Sequence, residues 1–119
     1  MATTTLTDDN FDKKTIGEGI VLVDFWASWC GPCRMFAPVY ERAADKHDDI
    51  VFGKVDTEAE QGLAARFDIS SIPTIMAIRD GVIVFAQPGA LPEQSLESLI
   101  EQVRAFDMDE VRSRVAKQS

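Results

Sequence analysis

Apolar and polar residues alternate along this chain in two periods, and those periods predict its elements. Residues 3–6 fit a short β-strand. Thr7 then fits a helix N-cap, with Asp8 and Asp9 in the first turn, where the helix dipole favours anions. Residues 20–27 (Ile-Val-Leu-Val-Asp-Phe-Trp-Ala) are apolar at nearly every position. A run apolar on both faces predicts a central strand covered by helices on each side. Met35, Phe36, Val39, Tyr40, Ala43 and Ala44 recur at helical spacing and predict one buried stripe. Pro38 lies inside it, removes a backbone donor and predicts a kink. Lys46 and His47 fall near the end of that helix, where positive charge is favoured.

Residues 50–56 read as a second buried strand, and Thr57 and Glu60 then have the spacing of a capping box. The short helix behind it directs Leu63, Ala64 and Phe67 inward. Residues 74–79 and 82–87 are two strands joined by Asp80-Gly81, a strong local hairpin signal. Leu96, Leu99, Ile100, Val103 and Phe106 mark a C-terminal amphipathic helix. The order is β-α-β-α-β-α-β-β-α, an α/β chain whose stripes are buried by one mixed sheet with helices on both faces. Residues 1–106 form the expected domain. Residues 107–119 are an extension, helical or flexible, with a thin apolar line of Met108, Val111 and Val115.

Charge and composition narrow the function. A chain of 119 residues with 45% hydrophobic content can fill one core without metal or disulfide staples. Its formal charge of −8 disfavours nucleic acid and anionic membranes, which need a basic footprint. No basic stretch and apolar run mark a secretory signal at the N-terminus, and no window approaches the length of a membrane span. A cytoplasmic, reducing compartment is the expectation, and nothing demands more than a monomer. In that compartment two cysteines three residues apart are poor structural staples, because the loop they close is too small.

Those cysteines, Cys30 and Cys33, stand in Trp-Cys-Gly-Pro-Cys between the end of a strand and the start of a helix. A helix N-terminus offers unpaired N–H groups and the positive end of the dipole, so a thiolate at Cys30 is stabilised there. Cys33 lies one helical turn on, within bonding reach. Gly31 permits close approach of another chain, and Pro32 fits the first turn, where its missing N–H costs little. The expected cycle has Cys30 attack a partner's disulfide and Cys33 then attack Cys30. Trp29 is expected to rim an exposed sulfur, and Trp26 to pack beneath the motif. Zinc needs four ligands, and the sole histidine, His47, is roughly 20 Å along the helix, so no metal is expected. A pair of inert core thiols is the other alternative, and the strand-to-helix position argues against it.

Three further residues interrupt the apolar pattern. Asp24 breaks the central strand. It either reaches solvent at a strand end or is a buried acid with a raised pKa, acting as proton acceptor for Cys33. Lys54 breaks the next strand and either faces Asp24 or snorkels to water. Pro73 enters a strand at Ile72-Pro73-Thr74. A cis bond there would expose the backbone of Ile72 for pairing with an extended peptide, yet only ~5–6% of X-Pro bonds are cis, so a trans proline is the local expectation.

Val-Asp-Phe-Trp-Ala, Trp-Cys-Gly-Pro-Cys, Pro38, Lys54, Ile72-Pro73-Thr74 and Gly89-Ala90-Leu91 together resemble the thioredoxin family, from about Thr5 to Phe106. The resemblance implies a thioredoxin fold, with a central mixed sheet flanked by helices. It implies Cys30 as nucleophile, Cys33 as resolving thiol, Asp24 as the buried acid, Lys54 as its neighbour, and a cis Pro73 facing the cysteines. Trp29, Gly31, Pro32, Ile72, Pro73, Gly89 and Ala90 would form the partner-docking surface. A lowered cysteine pKa and a set redox poise are known in that family and are expected from the likeness. The implied activity is reduction of protein disulfides, with disulfide-containing proteins as substrates and an NADPH-dependent flavoprotein thioredoxin reductase as electron source. No bound cofactor is expected. A binding module that uses the same apolar face and leaves the redox pair idle is the alternative. Arg34 stands where lysine is common, a change expected to have little consequence. Pro88 before the docking-loop glycine is expected to stiffen that loop.

Overall fold

In a computed structural model, residues 2–118 are described. Met1 and Ser119, the outer limits of the expected domain and extension, lie outside the described residues. The elements are β1 (Thr3–Thr5), α1 (Phe11–Thr15), β2 (Ile20–Trp26), α2 (Gly31–Lys46), β3 (Ile50–Asp56), α3 (Gln61–Arg66), β4 (Thr74–Arg79), β5 (Val82–Pro88), α4 (Glu93–Ala105) and α5 (Met108–Gln118). One five-stranded sheet runs β1-β3-β2-β4-β5. β1 and β2 flank β3 in parallel, whereas β4 runs antiparallel to β2 and β5 antiparallel to β4.

Side chains of a strand alternate between faces. Ile20 and Leu22 of β2 accordingly join Phe36, Tyr40, Ala43 and Ala44 of α2 and Leu96, Leu99, Ile100 and Val103 of α4 in one core. Val21, Val23 and Phe25 join Phe11 of α1 and Leu63 of α3 in the other. Both faces of β2 are thus covered, which is why its sequence lacks alternation. Each large side chain so buried contributes on the order of 2 kcal/mol before entropy. At Gly53 a Cβ would collide with the Leu6 side chain, so glycine gives that side chain its room where the chain leaving β1 runs beside β3.

The hairpin signal is met. Asp80 and Gly81 both have positive φ, as a two-residue mirror-image turn requires. Local details differ from expectation. Thr7 Oγ1 accepts from Asn10 N–H and Asn10 Oδ1 accepts from Thr7 N–H, so Thr7 caps a turn and the helix proper starts at Phe11. The capping box at Thr57 and Glu60 does not form. Thr57 Oγ1 donates to Trp26 O, Glu60 Oε1 accepts from Asp8 N–H, and Asp56 Oδ1 takes Glu58 N–H instead. Met35 is 78% exposed, because Cys33 holds the buried position one turn before Phe36. Pro38 lies inside α2, as its place in the stripe predicts.

The segment after Phe106 is helical. Asp107 Oδ1 accepts from the N–H groups of Asp109 and Glu110, capping α5. Met108 is buried, Val111 half-buried, and Arg112 reaches Asp80 at 3.3 Å.

Candidate active site

β2 ends at Trp26, and a short turn later Cys30 serves as N-cap of α2, with extended φ and ψ. Gly31 and Pro32 are the first helical positions, so the proline forfeits no helical bond. The helix returns Cys33 over Cys30. Their Cα atoms are 5.2 Å apart and the sulfurs are joined in a disulfide. The Cys33 N–H, one of the orphan donors of the helix end, points at Cys30 Sγ at 3.2 Å. Cys30 therefore receives both the local hydrogen bond and the positive end of the dipole.

The disulfide is more sheltered than expected, with Cys30 retaining 4% of its surface. The rim stands clear around it. Trp29 is 65% exposed and its Nε1 donates to Glu58 Oε1 at 2.7 Å. Ile72 O lies 3.8 Å from Cys30 Sγ, which places the turn before β4 against the nucleophile. The Ile72–Pro73 bond is cis, contrary to the local expectation and in line with the resemblance. Gly89 N–H donates to Pro73 O at 2.7 Å, so the loop carrying exposed Gly89 and Ala90 closes on the same turn. Gly89 has a φ of 110°, which favours glycine.

Asp24 shares its strand parity with Ile20 and Leu22 and so faces α2. It is 1% exposed, and neither carboxylate oxygen has a hydrogen-bond partner. Burial pushes its pKa up to about 7, and the positive charge of Lys54 pulls the other way. Lys54 is the register partner of Asp24 across β2 and β3, and its Nζ sits 5.0 Å above the Trp26 ring. Both readings of Lys54 hold in part, since it is half-buried and faces the acid. Trp26 is likewise half-buried.

The matched region confirms what this geometry is. A family model described as thioredoxin matches residues 2–102. The chain belongs to the thioredoxin family. A putative thioredoxin 2 of Streptomyces coelicolor is 59% identical over 98% of this chain and 87% of its own. The thioredoxin of Bacillus subtilis is 40% identical over 84% of this chain and 96% of its own. A solved thioredoxin of Malassezia sympodialis superposes with a TM-score of 0.78 at 33% identity, over 87% of this chain and 91% of that one. This thioredoxin-family chain is a thiol–disulfide oxidoreductase, a protein-disulfide reductase whose redox-active pair is Cys30 and Cys33. No helix among the described residues is long and apolar enough to cross a membrane.

Two residues at this thioredoxin site were not singled out as functional by the sequence. Glu58 holds the Trp29 indole, and Arg34 Nη1 donates to Ser28 O at 2.8 Å. Each contact depends on how the chain folds back on itself, and neither has a signature in local spacing.

Proposed function

We propose that Cys30 is the attacking thiolate and Cys33 the resolving thiol of a cycle that reduces protein disulfides. The observation that carries this reading is the Cys33 N–H directed at Cys30 Sγ from the first turn of α2. It favours negative charge on one sulfur and not the other. Cys30 thiolate attacks a partner's disulfide, forming a mixed disulfide and releasing one partner sulfur as thiolate. Cys33 gives its proton to Asp24 and attacks Cys30. The Cys30–Cys33 bond forms, the mixed disulfide breaks, and the second partner sulfur leaves with its electron pair. Two electrons have then passed from the dithiol to the partner.

Asp24 suits the proton step because a carboxyl with pKa about 7 exchanges its proton near neutrality. Lys54 limits how far burial raises that value. Trp29, Gly31, Pro32, Ile72, Pro73, Gly89 and Ala90 form the docking surface, and Pro73 walls the approach to Cys30. An NADPH-dependent thioredoxin reductase restores the dithiol. The protein works in the cytoplasm as a monomer, with residues 1–106 as the redox domain and 107–119 as an appended segment.

Cys33→Ser is expected to trap mixed disulfides with protein substrates on a non-reducing gel, and Cys30→Ser to trap none. Equal trapping by both variants refutes the assigned roles.

A further inference from the structure

The chain has seven arginines, and five of them form ion pairs among the described residues. Arg42, Arg66, Arg104, Arg112 and Arg114 each pair with a carboxylate. Arg79 donates to three carbonyls at the end of α4. Arg34 forms no ion pair among the described residues, although the chain carries a formal charge of −8. It is exposed, and it follows Cys33 directly.

Arg34 is also fastened to the segment that bears the attacking sulfur. Its backbone N–H donates to Cys30 O at 3.1 Å, and its Nη1 donates to Ser28 O at 2.8 Å. A guanidinium carries five N–H donors in a planar fork, so the bond to Ser28 leaves most of them for another acceptor. The first turn of α2 holds no acidic residue to neutralise this charge. Glu58 Oε1 accepts from the Trp29 indole and forms no ion pair with Arg34.

We propose that Arg34 is a specificity-determining docking residue that reads an acidic side chain beside the partner's disulfide. The proposal rests on Cys30 being the sulfur that partners approach. Ser28 O has already taken up part of the side chain's rotamer freedom, so a carboxylate meets a guanidinium held in place. A lysine at this position would offer a mobile point charge with three donors and no fork. On this proposal the departure from lysine has a consequence, where the sequence alone predicts little.

The test uses two disulfide peptides that differ only in an Asp or a Lys next to one cysteine. Both are turned over by the full chain, with NADPH and a thioredoxin reductase restoring the dithiol, at ~0.15 M salt, where a screening length of ~8 Å mutes the distributed acidic charge. The Asp-to-Lys ratio of kcat/KM is expected to fall about three- to fivefold in Arg34→Gln and about tenfold in Arg34→Glu, with Arg34→Lys keeping part of the preference. Each ratio compares two substrates on one protein, so changes in sulfur reactivity or folded fraction cancel. Turnover of both peptides with a ratio constant within about twofold across all variants overturns the proposal. Failure of the unmodified chain to reduce either peptide is a separate result. It overturns the Cys30 reading, and this proposal with it.

Discussion

At the end of the sheet where β2 delivers Trp26 and β4 begins at Thr74, Asp24 is buried with neither oxygen hydrogen-bonded. At the other end, where Ile20 pairs with Arg79, charged groups are tied down. Arg79 Nη1 donates among the carbonyls of Val103, Arg104 and Phe106, which cluster at the end of α4. Arg104 grips both oxygens of Asp49, and His47 bridges Glu97 and Arg104. One oxygen of Glu97 is the exception there. The same sheet thus leaves a charge-bearing group unsatisfied towards the end where β2 leads into the cysteine motif and satisfies nearly all of them at the other end. An unsatisfied buried carboxylate lowers stability, and it stands on the strand that runs into the redox motif, where such a group has chemical use.

The sharpest way to break this contrast is to remove Asp24. Its folded pKa of about 7 lies above the ordinary value of 3.8, so the folded state favours the protonated acid. Ionisation therefore lowers stability progressively as pH rises from about 4 through about 7. Asp24→Ala is expected to raise stability at pH 8 by roughly 1–4 kcal/mol, to lose that advantage near pH 4, and to slow turnover. Denaturant melts at the two pH values give the difference. A variant less stable than the parent at pH 8 means that the carboxyl is not held as an unpaired buried group.

The opposite sign is expected at the far end. Arg79→Met keeps the aliphatic stem but removes this donor from the carbonyls at the end of α4, of which Val103 O keeps the Phe106 N–H. Charge-assisted hydrogen bonds of this kind contribute on the order of 1.5–3 kcal/mol, so a loss of about 2 kcal/mol is expected at every pH where the fold persists. A melt unchanged within about 0.5 kcal/mol would show that water replaces the guanidinium there without loss, and that the two ends differ less than their hydrogen bonds suggest.

What the sequence discloses and what it hides divide along physical lines. The strand and helix order was legible because periodicity follows directly from which faces are buried, as in β2 and α4. Asp24 was legible because a carboxylate inside an apolar run has few innocent explanations. The box at Thr57 and Glu60 failed because Trp26 O and the Asp8 N–H compete for those side chains from 31 and 52 residues away. Met35 misled because several neighbouring residues fit a helical stripe, and only the fold decides that Cys33 takes its place. Trp29 to Glu58 and Arg34 to Ser28 involve no periodic pattern at all. The cis bond at Pro73 was expected only from the family likeness, since local sequence favours trans. The helix after Phe106 turns on one cap, Asp107, whose chemistry is common in loops as well.

The smallest expected effect sharpens the comparison most finely, since it asks whether the tied-down end relies on charge or on geometry. The Arg104 hydrogen bond comes first among the causes that lower the Asp49 pKa to about 2, well below its usual 3.8. A depressed folded pKa contributes stability above pH 4, and that contribution is lost as pH falls towards 2. Asp49 is on the surface, so salt and water screen the pair. Asp49→Asn is therefore expected to be slightly less stable than the parent at pH 6 in low salt. The two should converge both near pH 2 and in 1 M salt. Convergence with pH but not with salt would assign the contact to its bidentate geometry. A gap that persists in acid would mean that the substituted amide disturbs the start of β3 itself, and that the far end is held by shape before charge.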